Sequence, residues 1–244
     1  DIVRQEYRAV GIHLALHPMA DLATEPRWPR INGTFGEDAQ LSARMTYAYI
    51  KGFQGDSLSA GSVACMTKHF SGGGPQKEGL DPHFQFQKGQ VYPGNNFNYH
   101  LIPFEAAFAA GTAQIMPYYG VPMSQTSENV GFSFNKDIIT GLLRDKYHFD
   151  GVVCTDWGLV SDVENFMISL PARAHGMMDH SPEERMLKIL DAGVDQFGGE
   201  SLPDMLVKLV QSGKVTEERI NRSVKRILRD KFRLGLFDNP YVDV

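Results

Sequence analysis

Short apolar runs alternate with helix-forming stretches along most of the chain, and this alternation limits the fold more than any other feature. Strands are read at Ile12–Leu16, Ser62–Thr67, Ala113–Met116, Val152–Cys154 and Val194–Phe197, and Val152–Cys154 is apolar without interruption. That pattern fits strands buried on both faces, as a parallel sheet requires. Helical sequence fills the gaps. Residues 1–9 read as the end of a helix stopped by Gly11, and Asp38 opens a second that Gly52 would stop near Lys51. Further helices are predicted over Tyr99–Ala110, from Asn135 to Tyr147, over Leu202–Gln211 and over Thr216–Leu234. Ser181-Pro182-Glu183-Glu184 is a capping box with proline at the first helical position, for a helix ending near Ala192-Gly193. Residues 158–180 show no clear period and read as one long loop.

Strand, helix, strand in repetition implies right-handed crossovers and a parallel sheet. Polar residues collect after the strands: Arg30, Lys68 with His69, Tyr119, Asp156 and Glu200. Such one-sided clustering is expected of the active face of an α/β (TIM-like) barrel. The ends at Ala20, Lys68, Tyr119, Asp156 and Gly198 should then share one rim. A doubly wound sheet is the alternative, but no Gly-x-Gly-x-x-Gly opens a helix. Gly72-Gly73-Gly74 lacks the Lys-Ser or Lys-Thr pair of a phosphate-binding loop. A closed (β/α)8 barrel has eight strands and this reading finds five. The first visible element is the end of a helix, so a barrel incomplete at its N-terminal end is expected.

The 244 residues carry a formal net charge of −5, which argues against nucleic acid as a partner. No apolar run reaches the roughly 18 residues of a membrane span, and no signal-peptide pattern is present. The chain begins at Asp1 without Met, which leaves the compartment open, with a periplasmic or secreted setting favoured over the cytoplasm. Cys65 and Cys154 sit in apolar runs and read as buried free thiols. Nothing in the sequence calls for a metal or a cofactor.

In Gly151-Val152-Val153-Cys154-Thr155-Asp156-Trp157-Gly158 a buried strand ends abruptly in a carboxylate, an indole and a glycine. Carboxyl ends of parallel strands are where α/β folds bind ligands. Asp156 there is either a reacting carboxylate or a cap on the next turn.

Five motifs in order decide the resemblance: Pro26-Arg27-Trp28-Pro29-Arg30 with Thr34-Phe35-Gly36-Glu37-Asp38, Lys68-His69-Phe70, Met116-Pro117-Tyr118-Tyr119, Thr155-Asp156-Trp157-Gly158, and the closing Lys231-Phe232-Arg233-Leu234-Gly235-Leu236-Phe237-Asp238-Asn239-Pro240. Together they resemble the N-terminal barrel domain of glycoside hydrolase family 3, in its β-glucosidase and exo-glucanase branch, over almost the whole chain. The resemblance implies a retaining, exo-acting β-glycosidase that releases a terminal glucosyl unit through a covalent intermediate on Asp156. Arg30, Lys68 and His69 would hold sugar hydroxyls, Tyr119 would sit beside the nucleophile, Met116 would line the subsite and Trp157 would pack near the scissile bond. Nearby Arg and Lys favour an ionised nucleophile, and aromatic faces suit sugar rings. Structural roles stand beside these. Arg30 could pair with Glu37 or Asp38, Lys68 could be a solvated strand end, His69 a satisfied core histidine, and Tyr119 a packing residue.

Retaining hydrolysis needs a second carboxyl group about 5–5.5 Å from the first. In the β-glucosidase branch it is a Glu of a following α/β sandwich domain, expected to pack against this barrel. An upstream Asp of the sugar site is also expected to precede this chain. The partners implied are a β-linked oligosaccharide or glucoside, with room left for a homodimer. One alternative is a β-N-acetylglucosaminidase of the same family, using an Asp81/His83 dyad as acid; another is a non-catalytic carbohydrate-binding barrel.

Overall fold

The computed structural model describes residues 1–164 and 169–242. Five parallel strands form one sheet in the order β1 (Leu14–Ala15), β2 (Ala64–Phe70), β3 (Gln114–Pro117), β4 (Val152–Trp157) and β7 (Gln196–Gly198), curled as a half-barrel. Each neighbouring pair is consecutive along this series. The crossovers carry α1 (Ile2–Ala9) before β1, α2 (Ala39–Gln54), α3 (Ile102–Ala109), α4 (Pro182–Ala192), then α5 (Pro203–Gln211) and α6 (Glu217–Arg233).

Register places the site. Lys68 pairs with Met116, Gln114 with Val152, Ile115 with Val153 and Cys154 with Gln196. Side chains two apart on a strand share a face. Met66, Met116 and Cys154 accordingly cluster on the concave side with Leu14 against them. The opposite residues, Ile115 and Val153, join the main core with Phe70, Phe104, Ile138 and Ile139. Lys68 follows Met66, and Asp156 follows Cys154, on the concave side at the carboxyl rim.

The helices obey their local signals with informative departures. Asp38 caps α2 by accepting the Leu41 N–H at 2.7 Å, a contact worth about 1 kcal/mol. The helix runs through Gly52 and stops at Gly55, where φ is +78°; buried Ile50 and Phe53 carry its apolar stripe past the expected stop. Ser181 and Glu184 form the capping box of α4. The helix predicted over 99–110 divides into a 3-10 segment, Phe97–Leu101, and α3, with Pro103 at the junction. Proline lacks the N–H that a continuous helix would use there. The helix after Asn135 spans Asp137–Lys146 and is wound more widely, the Tyr147 N–H reaching the Leu142 carbonyl at 3.1 Å. Within the expected loop 158–180 a short antiparallel pair forms, β5 (Val163–Glu164) with β6 (Ser169–Leu170); residues 165–168 of that loop lie outside the described residues.

A buried carboxylate ties the amino-terminal end of the sheet. Asp195 accepts the Val153 N–H at 3.0 Å and Arg144 Nη2 at 2.6 Å on one oxygen. On the other it accepts the Ser223 hydroxyl at 2.7 Å and Arg226 Nη1 at 3.0 Å. Strand β4, the Asp137–Lys146 helix and α6 therefore meet on one charge. Removing it strands two guanidiniums in a low-dielectric site. Asp195→Ala should lower unfolding free energy by about 3–5 kcal/mol in urea denaturation, whereas Arg222→Ala on exposed α6 surface should stay within about 0.5 kcal/mol.

Candidate active site

Asp156 ends the buried part of β4 and is 8% exposed. Its Oδ1 accepts the Tyr119 hydroxyl at 2.8 Å and the Trp157 N–H at 2.8 Å. The Tyr119 hydroxyl also lies 2.7 Å from the Trp157 carbonyl, so its single proton has two acceptors. Burial first, and then the Asp156 charge, pushes the Tyr119 phenol far up, so it remains a donor. With Oδ1 doubly engaged, Oδ2 is the less occupied oxygen. It faces His69 Nε2 at 3.8 Å.

His69 follows Lys68 where the β2–β3 register shifts, and its ring turns into the site. Asp21, fully buried in the loop after β1, accepts the His69 N–H at 3.1 Å and meets His69 Nδ1 at 2.8 Å. Its other oxygen takes the Gly73 N–H. Burial alone would raise the Asp21 carboxyl, but His69, the Gly73 N–H and Arg30 outweigh it and hold the group below its ordinary value. Burial holds the His69 ring below its own ordinary value against the opposing pull of Asp21. An accepting Asp21 sets the tautomer: Nδ1 carries the proton and Nε2 presents a lone pair beside Asp156.

Two cations complete the floor. Burial is the main cause that lowers the Lys68 ammonium, with Arg30 adding to it, while Asp156 and Asp21 pull the other way. Arg30 leaves Glu37 and Asp38 alone and donates from Nη1 to the Tyr118 hydroxyl at 3.2 Å. Met116 is buried against Met66 and Cys154 beneath the charged groups. Trp157 is 38% exposed, and its indole lies on Gly198-Gly199. A Cβ on Gly199 would stand 1.9 Å from Trp157 Cδ1, so glycine is required there. Glu200 then clasps the following turn through the N–H groups of Val160 at 3.0 Å and Ser161 at 2.8 Å.

Arg30, Lys68, His69, Met116, Tyr119, Asp156 and Trp157 therefore converge on the carboxyl rim of β1 to β4. The sequence reading passed over three neighbours. Asp21 holds His69, Tyr118 holds Arg30, and Arg173 donates to the Trp157 carbonyl at 3.1 Å while lying 5.4 Å from the Tyr119 ring centre. A carboxylate between Ala20 and Leu22 just past a strand was the one available signal for Asp21. The Asp81/His83 pair is formed as well, with Oδ1 and Nδ1 2.5 Å apart and the His83 ring edge-on to Tyr119 at 4.6 Å.

Comparison with known proteins gives this geometry its kinship. The chain is 54% identical over 244 residues to β-glucosidase C of Emericella nidulans, covering all of this chain and 40% of that protein. The chain thus spans about two fifths of the length of that relative. Among solved structures, the β-glucosidase from Listeria innocua in complex with isofagomine superposes with a TM-score of 0.81 at 27% identity, over 99% of this chain and 32% of that one. A family 3 β-N-acetylglucosaminidase from Paenibacillus gives 0.81 at 27% identity, over 100% of this chain and 44% of that one. Residues 1–229 match the N-terminal domain of glycosyl hydrolase family 3, and the chain belongs to that family.

Proposed function

We propose that the full-length protein is a retaining, exo-acting β-glucosidase whose covalent glycosyl-enzyme forms on Asp156. The observation that carries this reading is the asymmetry of the Asp156 carboxylate. Oδ1 is fixed by Tyr119 and the Trp157 N–H, and Oδ2 is free beside His69, Lys68 and Arg30. A nucleophile needs one anchored oxygen for aim and one free oxygen for attack. The names of the fungal relative and the Listeria structure support glucose as the sugar held there.

In this mechanism the terminal glucosyl ring lies over Met116, with Arg30, Lys68 and His69 on its hydroxyls. Oδ2 attacks the anomeric carbon while an acid protonates the leaving oxygen, and water then releases glucose. His69 Nε2, as a lone pair, accepts from a sugar hydroxyl. Trp157 offers an aromatic face at the departing group. The acid is a Glu of an α/β sandwich domain following this barrel, and the substrates are β-linked oligosaccharides or glucosides. Asp156→Asn in the full-length enzyme should cut kcat by at least about a thousandfold with glucose binding retained. Equal loss of both by kinetics and calorimetry would contradict it.

A second reading rests on the short Asp81–His83 contact and the Paenibacillus neighbour: His83 would be the acid of a β-N-acetylglucosaminidase. Leaving-group dependence separates the two. On the β-glucosidase reading, His83→Ala slows 4-nitrophenyl and methyl β-glucosides by the same factor. Selective slowing of the methyl glucoside, by about tenfold or more, would identify His83 as the proton donor.

A further inference from the structure

Asp81 is placed to do something other than orient an acid. It is 5% exposed, and each of its oxygens meets two groups. Oδ1 accepts the His83 N–H at 2.9 Å and faces His83 Nδ1 at 2.5 Å. Oδ2 accepts Trp28 Nε1 at 2.8 Å and the Tyr118 hydroxyl at 3.0 Å. The second oxygen leads to the sugar site. A guanidinium only donates, so the Tyr118 oxygen accepts from Arg30 Nη1 and its single proton must go to Asp81. Arg30 to Tyr118 to Asp81 is therefore a chain with one possible polarity. The Arg30 guanidinium also lies 5.5 Å from the Tyr118 ring centre. The same ring stands 4.4 Å from His69, another of the sugar-facing groups.

We propose that Asp81 is a positioning residue for sugar binding, acting through the Tyr118 hydroxyl on Arg30. The proposal rests on the reading that Arg30 meets a sugar hydroxyl. Burial on its own would raise the Asp81 carboxyl, but the His83 contacts and Trp28 bring it well below its ordinary value, so it serves as a standing acceptor. A long, rotamer-rich arginine is thereby aimed during folding and need not be ordered when the sugar arrives. The chain joins segments far apart in sequence: Arg30 after β1, Asp81 after β2, and Tyr118 at the end of β3. None of these groups needs to exchange a proton with substrate.

The test uses the full-length enzyme, with glucose as a competitive inhibitor and 4-nitrophenyl β-glucoside as substrate. Tyr118→Phe removes the hydroxyl and keeps the ring; Asp81→Asn removes the charge. Each should raise the glucose KI and the substrate KM about tenfold, with kcat at saturation changed less than about threefold. The double variant should be no worse than the larger single, because both act on one chain. In an Arg30→Ala background neither change should shift KI further. Tyr118→Phe serves where Asp81→Asn folds poorly. A KI within about twofold of wild type in Tyr118→Phe, or multiplying effects in the double, overturns the proposal. So does a loss in Asp81→Asn confined to kcat on poor leaving groups, the result expected of an acid-orienting dyad. If Arg30→Ala itself leaves KI unchanged, the sugar-site reading fails and the proposal with it; a weakened Arg30→Ala beside an unaffected Tyr118→Phe defeats the proposal alone.

Discussion

Parallel pairing in fixed register is the constraint on which the site depends. Because side chains two apart share a face, the pairings of Lys68 with Met116 and Gln114 with Val152 put Lys68, Met116 and Asp156 on one concave surface. A slip of one residue in β4 would send Asp156 into the packed layer that now holds Val153 and Thr155. Both of those are fully buried, so the slip would cost a desolvated carboxylate as well as lost apolar contacts. The register is pinned from the opposite end of the sheet, where Asp195 grips the Val153 N–H and two arginines. The placement of Asp156 at one end of β4 is thus tied to the Asp195 cluster at the other.

Above that frame, two carboxylates flank one imidazole. Asp21, His69 and Asp156 follow one another with contacts of 2.8 Å and 3.8 Å. Lys68 and Arg30 face the two carboxylates. Three of these groups are held in place by neighbours: Tyr119 fixes Asp156, Asp21 fixes His69, and Tyr118 fixes Arg30. Such prior placement lets a small polar ligand be recognised by many hydroxyl contacts without ordering each side chain at the time of binding.

How much of this the sequence carries depends on how local each cause is. Asp156, Lys68, His69 and Tyr119 are legible because each follows an apolar strand run, and the periodicity that makes the strand also dictates the end. Arg30 is legible through its motif, but its partner is 88 residues away, and the nearby Asp38 proves to be a helix cap. Asp21 escaped for the same reason: His69 and Gly73 lie 48 and 52 residues downstream, and only tertiary structure makes the carboxylate a hub. The Gly52 stop of α2 failed because the apolar stripe through Phe53 outweighs one glycine. The pair β5–β6 has strands of two residues, too short for any period to register.

The proposed function turns on covalent attachment of Asp156 to the sugar. Incubating the full-length enzyme with 2-deoxy-2-fluoro-β-glucosyl fluoride traps such an intermediate, because the 2-fluorine slows both steps while the good fluoride leaving group restores only the first. Peptide mass spectrometry of the trapped protein should show one added fluoroglucosyl group on the peptide carrying Thr155-Asp156-Trp157, with fragmentation assigning it to Asp156. A label on any other carboxylate, or inactivation with no label, would rule out Asp156 as the nucleophile.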